Sequence, residues 1–500
     1  MIFTHMNKQT TQKPTKYVEN PKFLIHGLAG AKTLKGSIRI NGAKNAALKA
    51  MAAAVLFDQK VRLENIPHTA DIDTMTLILE KLGAKITWVG EKDGKGKIIR
   101  DHIMEIDAST INSTDIDPKL AGGMRASVVL TGPLLARFGK VSFPAPGGCV
   151  IGARPIDLFI EGYKNMGANV VLKDGLYNIS VPQIPDVSLR VKGVHSLKSS
   201  EFFFHTISVG GTETLMMTAV LGSGKTILKN CAKEPEIVNV AEWLVASGAK
   251  IKGVGTETIE IEGIGATQKT GAIKLLTYKE PYIAIPDRIE TGSFAILGAL
   301  CAQDLIIENC EPKHVESLIH FLQDSGVPVS VKESKTGEIG SGSIIIKNNI
   351  KPNSSFAAFN VQTREYPGFP TDLQSPIVTY LTQVTGNSQV DENIFEGRFK
   401  YVEDLTKIGA KIKVTNSREV KISGPTPLTR QVKNHAGRTD ENSTELLAHD
   451  IRAGFAIVVA ALIAKGDFIV SNAHLIDRGY EKLEEELTAL GAKIERIYGV

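Results

Sequence analysis

A repeat of about 80 residues limits the folds open to this chain more than any other feature. In each copy a helix-like segment ends at a Gly, usually followed by Ala, and a short apolar strand comes next. The six glycines are Gly83, Gly167, Gly248, Gly326, Gly409 and Gly491. Gly at this place suits the left-handed residue that ends a helix. The 500-residue chain is therefore predicted to contain six copies of one supersecondary unit.

The residues before each Gly keep helical phase. Counting back eleven, eight, four and one positions from Gly83 gives four apolar residues between Ile72 and Leu82. This spacing predicts one apolar face on a helix. The same positions are mostly apolar in the other copies, but in the fifth copy Arg398 occupies the first of them.

A second, mostly apolar helix and a short strand precede each amphipathic helix. The apolar segments are 46–56, 126–136, 214–221, 294–301, 377–384 and 453–464. Helices that are apolar on most sides are buried. Each unit thus reads as strand, buried helix, strand, amphipathic helix and further strands. Six such units could form two domains of three, with the boundary near Pro286.

Composition excludes several classes of protein. The 58 basic and 54 acidic residues give a net charge of +4, which is too balanced for a nucleic-acid binder. Four Cys residues exclude a disulfide scaffold and are too scattered for a zinc knuckle. The apolar runs are too short to span a membrane. The polar segment 1–21 does not resemble a secretory signal, so we expect a disordered extension on a cytoplasmic protein.

The second copy carries an unusually long connection between its strand and its amphipathic helix. The segment 144–155 contains three Gly and three Pro, together with Cys149 and Arg154. A Cys near an Arg can have a lowered pKa and act as a nucleophile or acid. An ordinary loop with a buried thiol explains the same residues equally well. Cys231, Cys301 and Cys310 end apolar segments, so we expect structural thiols there.

The starts of the buried helices hold the other candidates. Basic, acidic or small polar residues recur there: Lys44, Arg125, Ser208, Arg288, Asp372 and Arg452. Helix N-termini present free N–H groups that favour anions, and Lys or Arg beside them suggests phosphate or carboxylate ligands. For any one of these residues, helix capping or a surface ion pair is the alternative.

Seven motifs stand in order along the chain and carry a resemblance. They are Gly42-Ala43-Lys44-Asn45, Met124-Arg125-Ala126-Ser127, Pro146-Gly147-Gly148-Cys149, Glu234-Pro235-Glu236, Pro286-Asp287-Arg288, Phe369-Pro370-Thr371-Asp372 and Asp477-Arg478-Gly479-Tyr480. From about residue 25 to the C-terminus, the chain resembles the UDP-N-acetylglucosamine 1-carboxyvinyltransferases, which are enolpyruvyl transferases of peptidoglycan synthesis.

The resemblance implies both a fold and a reaction. The fold would be α/β, with two inside-out domains, each of three βαβαββ units, covering 44–285 and 22–43 plus 286–500. The substrates would be phosphoenolpyruvate and UDP-N-acetylglucosamine, meeting in the cleft between the domains. Enolpyruvyl would pass to the 3′-hydroxyl through a tetrahedral ketal, with release of phosphate and without a cofactor or metal. Nucleic-acid and membrane partners are not expected.

The resemblance also assigns roles to residues. Cys149, Asp372, Lys44 and Arg478 are the implied catalytic residues, with Asp372 as the base and Cys149 assisting proton delivery. The implied substrate contacts are Lys44, Asn45, Arg125, Arg154, Asp157, Ser208, Val209, Gly210, Asp372, Ile394, Arg398, Arg452 and Arg478. Fosfomycin would alkylate Cys149.

The chain departs from the family pattern in a few places. Thr206 replaces a common Lys, and segments 197–204 and 435–448 look like insertions. Two alternatives remain. One is transfer to shikimate 3-phosphate, against which the Cys149 loop argues. The other is a non-catalytic, UDP-sugar-binding regulator, against which the intact Lys44, Cys149, Asp372 and Arg478 argue.

Overall fold

The computed structural model describes residues 20–90, 101–145, 156–184, 194–195, 197–265, 273–348, 356–430 and 444–498. The loop with Cys149 and Arg154 lies outside these residues, as does the predicted extension up to residue 19. The helices are α1 (Lys44–Ala53), α2 (Ala70–Leu82), α3 (Pro118–Gly123), α4 (Thr131–Phe138), α5 (Asp157–Asn165), α6 (Val209–Val220), α7 (Pro235–Ala246), α8 (Arg288–Cys301), α9 (Glu316–Asp324), α10 (Gln374–Leu381), α11 (Val402–Lys407), α12 (Ile451–Ile463), α13 (Ala473–Ile476) and α14 (Leu483–Ala489).

The strands are short and distributed along the whole chain. They are β1 (Lys22–His26), β2 (Leu34–Arg39), β3 (Val61–Glu64), β4 (Lys85–Val89), β5 (Ile103–Asp107), β6 (Lys140–Pro144), β7 (Asn169–Lys173), β8 (Leu176–Ser180), β9 (Gln183–Ile184), β10 (Val194–His195), β11 (Ser200–Phe203), β12 (Lys225–Lys229), β13 (Lys250–Lys252), β14 (Thr258–Glu262), β15 (Tyr282–Ile283), β16 (Ala302–Cys310), β17 (Val329–Lys332), β18 (Gly342–Lys347), β19 (Val361–Gln362), β20 (Gly386–Asp391), β21 (Lys411–Asn416), β22 (Glu419–Gly424), β23 (Thr444–Leu447), β24 (Asp467–Ser471) and β25 (Lys493–Ile497). Short 3-10 helices cover Ala54–Leu56, Arg125–Leu130, Pro312–Val315 and Thr371–Leu373.

Five four-stranded sheets repeat a single topology. Their strand orders are β15-β3-β5-β4, β11-β12-β14-β13, β2-β16-β18-β17, β19-β20-β22-β21 and β23-β24-β1-β25. In each sheet the first two strands are parallel and the other pairings are antiparallel. The sixth sheet, β6-β8-β7, keeps only an isolated parallel bridge, Asp115 to Ser142, where its first strand would pair. The predicted sixfold repeat of α/β units is confirmed.

Three short strands complete sheets that are distant from them in sequence. β1 and β2, at the N-terminus, belong to the sheets of the sixth and fourth units, and β15 belongs to the sheet of the first unit. Two parallel strands need a crossover connection between them, and in most units the buried helix supplies it. The repeats therefore close into rings of three.

The helices pack inside and the sheets cover them. α8, α10 and α12 contact one another, and every residue of α12 from Arg452 to Ile463 is buried. A buried Leu, Ile or Phe contributes about 1.5–3 kcal/mol to folding through loss of apolar surface. Buried side chains form two clusters, one drawn from residues 43–285 and the other from 23–40 and 289–494. The fold is thus two inside-out α/β domains, whereas the exact bounds 44–285 and 22–43 plus 286–500 stay a prediction.

The Gly at each predicted helix end has a left-handed backbone. The φ angles of Gly83, Gly167, Gly248, Gly326, Gly409 and Gly491 are 104°, 89°, 105°, 96°, 110° and 100°. The helix-stop prediction is therefore confirmed in all six units.

An Asn at the end of the central strand recurs in four units with its own role. Asn65, Asn230, Asn309 and Asn472 all have a positive φ, between 55° and 63°. The side-chain amide of each donates to a backbone carbonyl near the parallel neighbouring strand, those of Ala284, Phe204, Ile40 and Ala448. Asn tolerates this conformation and supplies the hydrogen bond that joins the two strands beyond their ends.

Arg398 does not lie on a helix stripe, contrary to the prediction. In the fifth unit the amphipathic helix shrinks to α11, so Arg398 lies in the turn before it and is only 4% exposed. The side chain is buried because it pairs with Asp372 (below), not because it belongs to an apolar face.

Two chain segments cross between the clusters side by side. Gly42 and Pro286 form an antiparallel bridge, and Asp287 N–H donates to the Asn41 carbonyl at 2.9 Å. A Cβ on Gly42 would lie 1.7 Å from the Asn65 carbonyl oxygen, so only Gly fits. Among the described residues, no helix is long and apolar enough to cross a membrane.

Candidate active site

Asp71 joins a cation from each half of the molecule. Lys44 is the first residue of α1, and its Nζ lies 3.0 Å from Asp71 Oδ2. Arg478 follows α13, and its Nε donates to Asp71 Oδ1 at 2.8 Å. Lys44 and Asp71 are both nearly fully buried. The structure therefore places two of the predicted phosphoenolpyruvate-binding cations on the two oxygens of one carboxylate.

The pKa shifts of this cluster reflect burial first and the neighbouring charges second. Burial lowers the pKa of Lys44, and nearby Arg452 and Arg478 lower it further, against the opposing effect of Asp71. Burial alone would raise the pKa of Asp71, but Lys44 and Arg478 hold it below its ordinary value. An arriving anion would relieve the repulsion among the three cations.

Asp372 is held by two arginines. It lies in the 3-10 helix Thr371–Leu373 that leads into α10. Arg398 Nη2 donates to Oδ1 at 3.0 Å, and Arg452 Nε donates to Oδ2 at 3.4 Å. The Asp372 side chain is 30% exposed, whereas both guanidinium groups are buried. The only solvent-accessible member of this trio is therefore the predicted base.

Arg452 connects the two groups. It lies in the first turn of α12, where Asp450 caps the helix by accepting from the N–H groups of Arg452 and Ala453. Its guanidinium lies over the Tyr480 ring at 5.2 Å. Arg452 Nη1 is buried and donates no hydrogen bond to the described residues. A buried charged donor without an acceptor is costly, so this nitrogen is available for an anion.

A second buried carboxylate also pairs with a cation from the other half of the chain, and it occupies the same position in its repeat as Asp71. Glu236, in the first turn of α7, accepts from Arg288 Nε at 3.0 and 3.3 Å. Both Glu236 and Asp71 come directly before the first apolar position of their stripes, Ile237 and Ile72. The sequence analysis missed both acids, although an acid before the stripe in two copies was the available signal.

The predicted nucleotide contacts lie together at the starts of two neighbouring helices. Ser208 caps α6 by accepting from Gly211 N–H at 3.1 Å, and Val209 and Gly210 open that helix. Asp157 is the exposed first residue of α5, and the Phe159 ring of the same helix faces Gly210. The Ser208 hydroxyl occupies one N–H of α6, and the remaining N–H groups of the first turn can face an anion.

The other predicted contacts are more scattered. Asn45 lies half-buried in the first turn of α1, and Arg125 begins the 3-10 helix before α4. The backbone N–H of Ile394 donates to the buried Glu392 carboxylate at 2.9 Å, which fixes the position of Ile394. Cys149 and Arg154 lie outside the described residues.

Three side chains with metal-binding atoms meet beside this site. Among the described residues, His68, His102 and Glu481 have one ligand atom each within 4.8 Å of one another. No spacing in the sequence indicates such a group, because His102 and Glu481 are 379 positions apart.

The described cysteines, Cys231, Cys301 and Cys310, are buried. Burial raises the pKa of Cys231 to about 11 and those of Cys301 and Cys310 to about 12. The prediction of structural thiols is in line with that burial.

Comparison with known proteins covers almost the whole chain. Residues 28–487 match the family described as EPSP synthase (3-phosphoshikimate 1-carboxyvinyltransferase). The UDP-N-acetylglucosamine 1-carboxyvinyltransferase of Koribacter versatilis is 39% identical over 476 residues, which cover 95% of this chain and 96% of that protein. The protein of the same name from Halothermothrix orenii is 38% identical over 477 residues, covering 95% and 99%.

Two solved structures share the fold. The enolpyruvyl transferase NikO from Streptomyces tendae has a TM-score of 0.76 at 21% identity, covering 96% of this chain and 100% of its own. EPSP synthase from Acinetobacter baumannii has a TM-score of 0.63 at 16% identity, covering 95% and 100%. At these identities the likeness establishes the architecture.

Proposed function

The chain belongs to the enolpyruvyl transferase family described as EPSP synthase (3-phosphoshikimate 1-carboxyvinyltransferase), and from this premise we propose that it is a UDP-N-acetylglucosamine 1-carboxyvinyltransferase. It moves the enolpyruvyl group of phosphoenolpyruvate to the 3′-hydroxyl of UDP-N-acetylglucosamine and releases phosphate. This reaction commits the sugar to peptidoglycan synthesis in the cytoplasm.

The observation that carries the proposal is a group of four cations on two carboxylates, of which Asp372 is the one accessible to solvent. Lys44 and Arg478 share Asp71, and Arg398 and Arg452 share Asp372. Phosphoenolpyruvate has two anionic groups, so it needs cations on two sides. Arg suits this task because its planar donors can grip two oxygens at once. Arg452 pairs with Asp372 and lies close enough to Lys44 to lower the pKa of that amine, and its Nη1 donates no hydrogen bond to the described residues.

The choice of acceptor rests on the relatives and on the start of α6. Curated proteins that match 94–96% of this chain at 37–39% identity carry the UDP-N-acetylglucosamine name. The N-terminus of α6, with Ser208, Val209 and Gly210, supports binding of the diphosphate, because free N–H groups and the helix dipole favour anions. Asp157 on neighbouring α5 and Arg125 contribute to the nucleotide side.

The first step is an addition. The 3′-hydroxyl oxygen of the sugar bonds to C2 of phosphoenolpyruvate, and its proton passes to Asp372, which acts as general base. At the same time C3 of phosphoenolpyruvate takes a proton, which Cys149 assists in delivering, and becomes a methyl group. The product is a tetrahedral ketal that carries the methyl, carboxylate, phosphate and sugar groups.

The second step is an elimination. The methyl group loses a proton, the C2–C3 double bond forms again, and the C2–O bond to phosphate breaks with its electron pair on phosphate. Lys44, Arg154 and Arg478 stabilise the charge that develops on the leaving phosphate, and Arg398 and Arg452 hold the carboxylate. Neither step oxidises or reduces a substrate overall. The reaction therefore calls for proton transfer and charge stabilisation.

Closure of the two domains, 44–285 and 22–43 plus 286–500, completes the site in this proposal. The two crossing segments, bridged in antiparallel fashion at Gly42 and Pro286, supply a narrow connection about which the halves can turn. Small-angle scattering with and without UDP-N-acetylglucosamine tests closure. Identical profiles would contradict it.

Phosphate release distinguishes the candidate reactions. The enzyme is expected to release phosphate from phosphoenolpyruvate with UDP-N-acetylglucosamine and not with shikimate 3-phosphate, the acceptor that the family description names. Release only with shikimate 3-phosphate would transfer the assignment to that reaction. If folded protein releases phosphate with neither acceptor, the chain would be assigned as a non-catalytic binding protein.

A further inference from the structure

His68, His102 and Glu481 lie at the boundary between the two core clusters. His68 is in the loop between β3 and α2, and His102 directly precedes β5, so both belong to the sheet of the first unit. Glu481 lies between α13 and α14 of the sixth unit, three positions after Arg478. The group is therefore assembled from both halves, next to Asp71 and Arg478. None of the three residues has a part in the proposed reaction.

Contacts already hold two of the three side chains at metal-binding distances. His102 Nε2 lies 3.0 Å from Glu481 Oε2, and all three ligand atoms lie within 4.8 Å of one another. Two donors at about 2.1 Å from a tetrahedral Zn²⁺ are themselves about 3.4 Å apart, so this pair would separate by a few tenths of an ångström to hold an ion. The ligand atom of His68 lies within 4.8 Å of both and would approach them on binding.

The surroundings orient the donors. The His68 ring packs on Trp88 with centroids 4.5 Å apart and on His102 with centroids 4.7 Å apart. The backbone N–H of His68 donates to Glu481 Oε2 at 2.8 Å. Partners of this kind fix the orientation of metal ligands and raise metal affinity.

We propose that His68, His102 and Glu481 bind a divalent transition-metal ion of the zinc class, which links the two domains beside the active site. Two imidazoles and one carboxylate are a donor set that suits Zn²⁺, and an open fourth position is left for water. The ion would hold the segment of Arg478 against the segment of Asp71. The site is thus a tether between the domains and not a catalytic centre.

Metal binding to tag-free protein tests the site. Titration of the metal-free chain with Zn²⁺ by calorimetry is expected to show one ion per chain, and Co²⁺ is expected to produce visible ligand-field absorption. His102→Ala and Glu481→Gln should each weaken Zn²⁺ binding by more than about tenfold, since the loss of even a supporting group costs a metal site that much. Because His102 is 38% exposed, its truncation is expected to leave the fold intact.

A matched control and a second readout keep the test decisive. His205→Ala removes an exposed His that is 3.8 Å from Glu161, and it should bind Zn²⁺ as the native chain does. Hydrogen exchange with Zn²⁺ should slow in residues 61–70 and in 478–484 together. Absence of binding, or equal binding by native chain and His102→Ala, would overturn the site, and slowing in only one segment would overturn the tether. Neither readout depends on enzymatic activity.

Discussion

Asp71 and Arg478 meet at 2.8 Å although they are 407 positions apart in the chain. The same carboxylate holds Lys44 at 3.0 Å from its other oxygen. Since Asp71 belongs to the first unit and Arg478 to the sixth, this carboxylate aligns cations from both domains. Because both of its oxygens pair with cations, we expect Asp71 to act as a positioning residue.

Asp71→Asn is expected to destabilise the protein. The substitution keeps the shape of the side chain but leaves Lys44 and Arg478 without their anion, and loss of one partner of a buried pair costs about 3–5 kcal/mol. Inorganic phosphate should restore part of the stability, because an anion that binds the folded state stabilises it. Thermal denaturation with and without phosphate measures both effects. Glu262→Gln, which breaks an exposed pair with Lys250, is the control and should behave as the native chain does; equal melting of Asp71→Asn would contradict the role.

Asp372→Asn is expected to lower kcat by about 10²–10⁴, the usual contribution of a general base. The KM for both substrates should change less, because the amide keeps the size of the side chain and one accepting oxygen, although its NH2 group cannot accept from the second arginine. Steady-state phosphate release measures the two constants. Asp391→Asn, on β20 and outside the cation group, should leave kcat near its native value. A kcat for Asp372→Asn within tenfold of the native value would remove it as the base.

Fosfomycin is expected to add once to the chain, at Cys149. The other cysteines are protected: burial raises the pKa of Cys231 to about 11 and those of Cys301 and Cys310 to about 12, so little thiolate exists at neutral pH. Intact-mass measurement and peptide mapping locate the adduct, and Cys149→Ser should prevent it. An unchanged mass in an active preparation would refute the reactive thiol.

Glu213 should make stability fall as pH rises from about 4.5 to about 7. The carboxylate is fully buried 3.2 Å from Lys49, and burial raises its pKa to about 7. In that window the folded state holds more protons than the unfolded state, so the free energy of unfolding decreases with pH, by up to about 3 kcal/mol. Glu213→Gln should lack this decrease. Urea unfolding at pH 5, 6, 7 and 8 gives the difference between the two proteins, and a difference that does not vary with pH would show that Glu213 keeps an ordinary pKa.

Much of the fold could be predicted from local pattern. The sixfold repeat, the buried helices and the helix ends at Gly83 and its five counterparts follow from spacing, because helical phase and left-handed residues depend on neighbours in sequence. The residue types of the site could also be predicted. A Lys or Arg at a helix start is suited to binding anions, and an Asp before α10 is suited to proton transfer. The roles that the resemblance implies for Cys149 and Arg154 stay predictions.

Long-range pairing was decided only by the tertiary structure. No local pattern shows that β1 joins the sheet of the sixth unit, β2 that of the fourth and β15 that of the first, since each strand is too short to specify its partner. Arg398 was assigned to a helix face because its spacing fitted, yet a buried guanidinium needs a counter-ion, and Asp372 supplied it from another part of the unit. For the same reason the structure pairs Asp71 with Arg478, Glu236 with Arg288, and Glu481 with His102. The sequence by itself determined the repeating unit and the chemistry it carries; the closure of the units into two domains determined which charges face one another, because charge pairing acts between surfaces that only folding brings together.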